Sequence, residues 1–107
     1  MATRANIGIE NEDGTIDFIY SHWDGDIVGA ELLKKWNSKE KARELINEGD
    51  CSYPGESYIS KGEDVTLNSS RTATSPKEVH EEEYSYIFTN KWLVSNNGIL
   101  YREVVNE

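Results

Sequence analysis

Two stretches of alternating residues meet at Asp13-Gly14, and they restrict the fold more than any other feature of the chain. Ile7 and Ile9 alternate with Asn6, Gly8 and Glu10, while Ile16, Phe18 and Tyr20 alternate with Asp17, Ile19 and Ser21. A period of two puts one row of apolar side chains on one face of a strand. Asp-Gly between two such rows marks a hairpin turn, because glycine takes positive φ without strain. A β-hairpin is therefore predicted, with Ile7, Ile9, Ile16, Phe18 and Tyr20 on the core face. It runs into Ser21-His22-Trp23-Asp24-Gly25 and a helix start, where Asp24 or Asp26 can cap free backbone N–H groups and match the helix dipole.

The period then changes. Val28, Leu32 and Trp36 stand four residues apart, with Leu33 beside them, which is one apolar helix face. Asn37 or Ser38 interrupts it and can cap a second helix, whose narrower stripe is Ala42, Leu45 and Ile46. Gly49 suits the positive-φ position that ends such a helix. A helical hairpin on a sheet is expected. Tyr53-Pro54-Gly55 reads as a turn, and Ser57 to Ser60 as a short strand. The stretch 66–80 is poor in apolar residues and is predicted as a long surface loop.

Alternation returns at Tyr84, Tyr86 and Phe88. Trp92, Leu93 and Val94 follow a turn at Asn90-Lys91, and Asn96-Asn97-Gly98 should reverse the chain into a strand over 99–105. Strands at both ends with helices between them indicate one α+β domain spanning 1–107. Its antiparallel sheet combines the N-terminal hairpin with a C-terminal three-stranded meander, and the helical hairpin covers one face.

The 107 residues include 20 acidic and 11 basic side chains, a formal charge of -9. Such a surface repels phosphate and anionic lipid, which disfavours direct binding to nucleic acid or membrane and favours basic partners. Net charge also serves solubility alone. No apolar run reaches the roughly 20 residues of a membrane helix. The single cysteine, Cys51, excludes an internal disulfide, so a reducing cytoplasm is the expected setting. Cys51 itself follows Asp50, whose charge would raise a thiol pKa, and it reads as a small packed residue.

The densest polar cluster is His22, Trp23 and Asp24. In an extended strand His22 and Asp24 share a face and could meet a metal or substrate. A metal site needs three or four ligands, and two are evident, so no metal and no cofactor is expected. The favoured account has His22 and Trp23 packing at the strand–helix joint while Asp24 caps. No Gly-x-Ser-x-Gly elbow and no phosphate-binding glycine loop occurs. Candidate partner-binding carboxylates are Glu63, Asp64, Glu78, Glu81, Glu82 and Glu83. Lys34, Lys35, Lys39, Lys41 and Arg43 gather on the helical hairpin, either as an anion-binding patch or as a solvated face with partners one turn away.

Met1-Ala2-Thr3-Arg4, the strand Asn6 to Asn11, the turn Glu12 to Thr15 and Tyr20-Ser21-His22-Trp23-Asp24-Gly25 resemble a family of small, mostly uncharacterised bacteriophage proteins. That family is marked by a Thr-Arg start, an Asp-Gly hairpin and a Tyr-x-His-Trp-Asp-Gly segment. Lys41 to Asp50 is similar to its second helix, and Glu83 to Phe88 with Lys91 to Val94 to its closing strands. The resemblance implies an accessory protein acting in the cytoplasm of an infected cell and supplies no catalytic residue.

These readings lead to a non-enzymatic protein that binds a host protein. Its sharper form inhibits a defence nuclease or other nucleic-acid-handling enzyme by phosphate mimicry. A rival class binds or sequesters a nucleotide signal, as a homo-oligomer, through the helical cations and Trp36, Tyr53 or Tyr58. A third is a metal-dependent hydrolase using His22 and Asp24.

Overall fold

The structure is a computed structural model and describes residues 3–54, 56–57 and 70–105. In chain order the elements are β1 (Ala5–Glu10), β2 (Ile16–Ser21), α1 (Val28–Lys35), α2 (Lys39–Asn47), β3 (Cys51–Tyr53) and β4 (Glu56–Ser57). They continue with β5 (Arg71–Ala73), α3 (Pro76–Val79), β6 (Tyr84–Phe88), β7 (Trp92–Ser95) and β8 (Arg102–Glu103). The fold is α+β, with one sheet ordered β4-β3-β2-β1-β6-β7-β8 and β5 alongside β2.

Strands β1 and β2 form the expected hairpin, Ala5 opposite Ser21 and Glu10 opposite Ile16. Gly14 has φ 89° at the turn. The Asp13 carboxylate accepts from both the N–H and the hydroxyl of Thr15. Strands β6 and β7 form a second hairpin, from Ser85 opposite Ser95 to Phe88 opposite Trp92. The sheet is mostly antiparallel, but its central joint is not. Strand β6 lies parallel to β1, with Tyr84 beside Ala5 and Phe88 beside Ile9. The two terminal hairpins are thus welded side by side.

The core-face assignment of β2 needs correction. Residues directly opposite in an antiparallel pair share a face, and Ile7 lies opposite Ile19, with Gly8 opposite Phe18. Ile19 therefore joins Ile7, Ile9, Tyr86, Phe88 and Trp92 beneath Val28, Leu32, Ala42, Leu45 and Ile46. Ile16 and Phe18 point to the opposite face, where Ala73, Val79 and Ile87 cover them and Tyr101 packs alongside. Both faces of β2 are buried, so apolar residues occur at both parities and alternation alone does not identify the helix side.

That second layer also revises the middle of the chain. Within the expected loop at 66–80, residues 71–73 pair with β2 and residues 76–79 form a turn of helix. Buried Asn6 donates from Nδ2 to the Val79 carbonyl at 2.8 Å, fastening α3 to the sheet. Asp50 accepts from the Tyr20 N–H at 2.8 Å and pairs with Arg71 at 3.3 Å. The Arg71 guanidinium in turn lies 5.2 Å from the Phe18 ring centre. At the C-terminal end, the strand expected over 99–105 shrinks to two residues. Asn97 Oδ1 accepts from the Ile99 and Leu100 N–H groups, and Ser95 Oγ from those of Asn97 and Gly98. Side-chain bonds of this kind compete with strand pairing, and they hold 96–101 as a loop.

The helical hairpin matches expectation, with α1 shorter than the spacing suggested. Ser38 caps α2, its Oγ accepting from the Lys41 N–H at 3.1 Å. Gly49 follows at φ 82°. Cys51 is buried.

Candidate functional site

The register gathers one end of the sheet into a distinctive surface. Because Ala5 is beside both Ser21 and Tyr84, the joint leaving β2 and the run entering β6 emerge together. Asp24, Asp26, Glu81 and Glu83 are exposed there, with Glu82 half-buried. Trp23 stands among them with half its surface in solvent, 50 %. Its ring meets His22 edge-on, with centroids 4.7 Å apart. His22 Nδ1 lies 2.6 Å from the Tyr20 hydroxyl. Burial raises the Tyr20 pKa; the Arg4 charge opposes it, and the charges of Glu82 and Asp50 add to it.

The joint is held by backbone rather than by carboxylates. The Asp24 carbonyl accepts from the N–H groups of Ile27 and Val28. The cap residue of α1 is Ile27, with no side-chain cap. The expected capping by Asp24 or Asp26 is thus replaced by a main-chain turn, because Asp24 sits at φ 58° and delivers its own C=O to the helix. Asp24→Gly is accordingly expected to leave stability unchanged or raise it by up to about 1 kcal/mol, since the left-handed region penalises a Cβ. Urea unfolding measures this; a loss of more than about 1 kcal/mol would assign the carboxylate a structural role.

His22 and Asp24 gain no third candidate ligand among the described residues. Among the described residues, no group of three or more His, Cys, Asp or Glu side chains is placed to hold a metal ion. Glu78 is tied to the turn ahead of its helix, accepting from the N–H and the hydroxyl of Thr74. Those bonds hold its pKa below the ordinary value. Glu63, Asp64 and Tyr58 lie outside the described residues. On the helical hairpin Lys35 pairs with Glu31 at 2.9 Å and Lys41 with Glu44 at 3.5 Å. Arg43 reaches across to Asp17 at 2.8 Å. Trp36 is half-buried against the core, and its carbonyl accepts from Trp92 Nε1 at 2.9 Å. Three of the five helical cations are thus engaged with carboxylates, while Lys34 lines an open groove of about 690 Å³ with Glu31 and Tyr53.

A polar chain on the second face was not legible in the sequence. His80 Nδ1 lies 2.9 Å from Ser85 Oγ, which lies 2.7 Å from the Tyr101 hydroxyl. Tyr101 donates to the Pro76 carbonyl at 3.0 Å. A phenol has one proton, so Tyr101 accepts from Ser85, and Ser85 accepts from His80. The serine proton points away from the imidazole, opposite to what a nucleophile and its base require. Ser85 is also wholly buried. The spacing of His80, Ser85 and Tyr101 carries no periodic signal; only their shared loop neighbours bring them together.

Burial lowers the His80 pKa from its ordinary 6.5. A lowered histidine stays neutral in the fold while the unfolded chain takes up a proton. Stability should therefore be full above pH 6.5 and fall as pH drops below it, levelling off once the folded form is protonated too. The stability from the carboxylates Asp17 and Glu78, lowered from 3.8 and 4.5, is fully present above those values and is lost only at more acid pH. Urea titrations of wild type and His80→Gln between these windows test this; an unchanged pH slope in the variant would refute it.

Two adjoining grooves, of about 460 and 440 Å³, flank β8 and share Tyr84, Val94 and Arg102. Comparison with protein-family models, with curated proteins and with solved structures finds no match.

Proposed function

We propose that this chain is a non-enzymatic, acidic accessory protein of bacteriophage type that binds a basic, nucleic-acid-handling surface of a host protein in the infected cell. The observation that carries the reading is that Asp24, Asp26, Glu81, Glu82 and Glu83 lie at the same end of the sheet as the exposed Trp23. Carboxylates at this density attract a surface evolved to hold phosphates and accelerate encounter with it. Tryptophan is the residue type most often found at the energetic centre of interfaces. The total of -9 already counts all 11 basic side chains, and five of them, Lys35, Lys41, Arg43, Arg71 and Lys91, are held in ion pairs with carboxylates. The N-terminal resemblance points to the same class of protein.

The test is capture from a bacterial lysate on immobilised protein, with release by salt and by competing duplex DNA. The expected result is a nucleic-acid-handling protein that both treatments release. Trp23→Ala and the double variant Glu81→Lys, Glu83→Lys should fail to retain it. Retention indifferent to salt, to DNA and to these variants would overturn the proposal.

A further inference from the structure

We infer that the free edge of β8 takes up an extended, lysine- or arginine-bearing segment of a partner protein as an added strand. Apolar side chains of that segment would enter the groove between β8 and α1. This surface lies along the sheet edge, and the inference does not depend on phosphate mimicry.

The backbone supplies the first argument. Glu103 lies opposite Leu93 and Arg102 opposite Val94. The Val104 N–H donates to the Trp92 carbonyl at 3.0 Å, so Val104 directs its polar groups toward β7. In an antiparallel ladder this direction alternates from residue to residue. The N–H and C=O of Glu103 therefore point outward, on an outermost strand with no further neighbour among the described residues. Such an edge is a template for pairing.

The side chains supply the second. Five large apolar residues are exposed among those described, and three of them border the two grooves beside this edge. Ile27 is 59 %, Val105 64 % and Leu100 75 % exposed. The floor between Ile27 and Val105 is Gly29, Tyr86 and Val104. Adjacent apolar residues of this kind, rimmed by charge, mark interaction sites.

Charge selects the occupant. Asp26 and Glu103 stand at the groove with Arg102, on a chain of net charge -9. Among the described residues Glu103 pairs with Lys91 at 3.5 Å, and both are well exposed. A cationic residue arriving opposite Glu103 would meet an outward carboxylate beside the open backbone groups. A second copy of this chain fits worse. Two-fold strand pairing centred on Glu103 or on Arg102 sets like charges directly opposite each other, which is destabilising.

The probe is a short fluorescent peptide of alternating valine and lysine, titrated by anisotropy against the whole chain. Three controls accompany it: a valine–glutamate peptide, the valine–lysine peptide with a central proline, and sedimentation of the protein alone. Saturable binding of the lysine peptide is expected, weakened by salt, with amide shifts confined to 26–30 and 94–105. Glu103→Pro removes the outward N–H together with the carboxylate, and takes away no N–H that bonds to β7, as edge strands allow. It should weaken binding about tenfold or more, the effect of a lost hydrogen bond and a lost charge. Glu103→Gln, which keeps the N–H, should weaken it less. Equal binding of the proline-containing peptide, equal binding to Glu103→Pro with its thermal unfolding unchanged, or shifts elsewhere would overturn the inference. Concentration-dependent dimerisation abolished by Glu103→Pro would overturn it in favour of a second copy.

Discussion

Replacing Trp92 with alanine is expected to remove a large share of the stability of the domain. Trp92 is wholly buried on the helix side of β7. Its ring packs edge-on against Phe88, with centroids 5.3 Å apart, and its Nε1 donates to the Trp36 carbonyl at 2.9 Å. It is the largest fully buried side chain among those described. Its hydrogen bond fastens the end of α1 to β7. Truncating a buried aromatic costs about 3–5 kcal/mol, against the roughly 5–15 kcal/mol that holds a typical domain together. The midpoint of thermal unfolding should fall by about 15 °C or more. Trp92→Phe keeps one ring but loses the N–H donor and part of the indole volume, so its loss should be smaller, about 2–3 kcal/mol. A Trp92→Ala protein that unfolds within a few degrees of wild type would show that the core repacks around the site.

The second large effect is expected at Gly25. A Cβ built there would stand 2.8 Å from the Arg4 carbonyl carbon, 2.9 Å from its oxygen and 3.0 Å from the Ala5 Cβ. The obstacle is the entry to β1, which is clamped between β2 and β6 and cannot retreat. Gly25 also donates its N–H to the Thr3 carbonyl at 2.8 Å and accepts from the Tyr86 hydroxyl at 2.6 Å. Gly25→Ala must strain the backbone or break these bonds, for a loss of about 2–3 kcal/mol. Gly14→Ala is the useful contrast. Nothing lies within 4 Å of its Cβ position, and only its φ of 89° is unfavourable. It should cost about 1 kcal/mol. Equal losses at the two positions, measured by urea unfolding, would refute the steric account of Gly25.

The contrast between these glycines also shows what the sequence could convey. Gly14 was legible, because Asp-Gly between alternating strands is a local signal. Ser38, Gly49 and the turn before Trp92 were legible for the same reason. Gly25 was visible only as punctuation, since its necessity comes from Arg4 and Ala5 crossing it. The parity of β2 was misread because β5 and α3 bury its second face. Asn6, Ser85 and Tyr101 looked like ordinary strand polarity and prove to be the bonds that secure that second layer. Of the candidate site, the acidic run and Trp23 were legible as composition. Their convergence was not, because it depends on the pairing of β1 with β6. The groove beside β8 left no trace in the pattern, since Ile27 and Val105 lie far apart in the chain.

The parallel seam between β1 and β6 has a consequence for the order of events at the ribosome. One edge of β1 is paired as soon as β2 emerges, but the other must wait for Tyr84 to Phe88. At about 5–20 residues per second that interval lasts several seconds or more. Throughout it, the nascent hairpin presents an open strand edge bearing Ile7 and Ile9 to everything nearby. A nascent chain halted at Glu83 is expected to be cut by protease within this hairpin, and resistance there would show that the hairpin stands without its late partner. The first strand to be made is among the last to be enclosed.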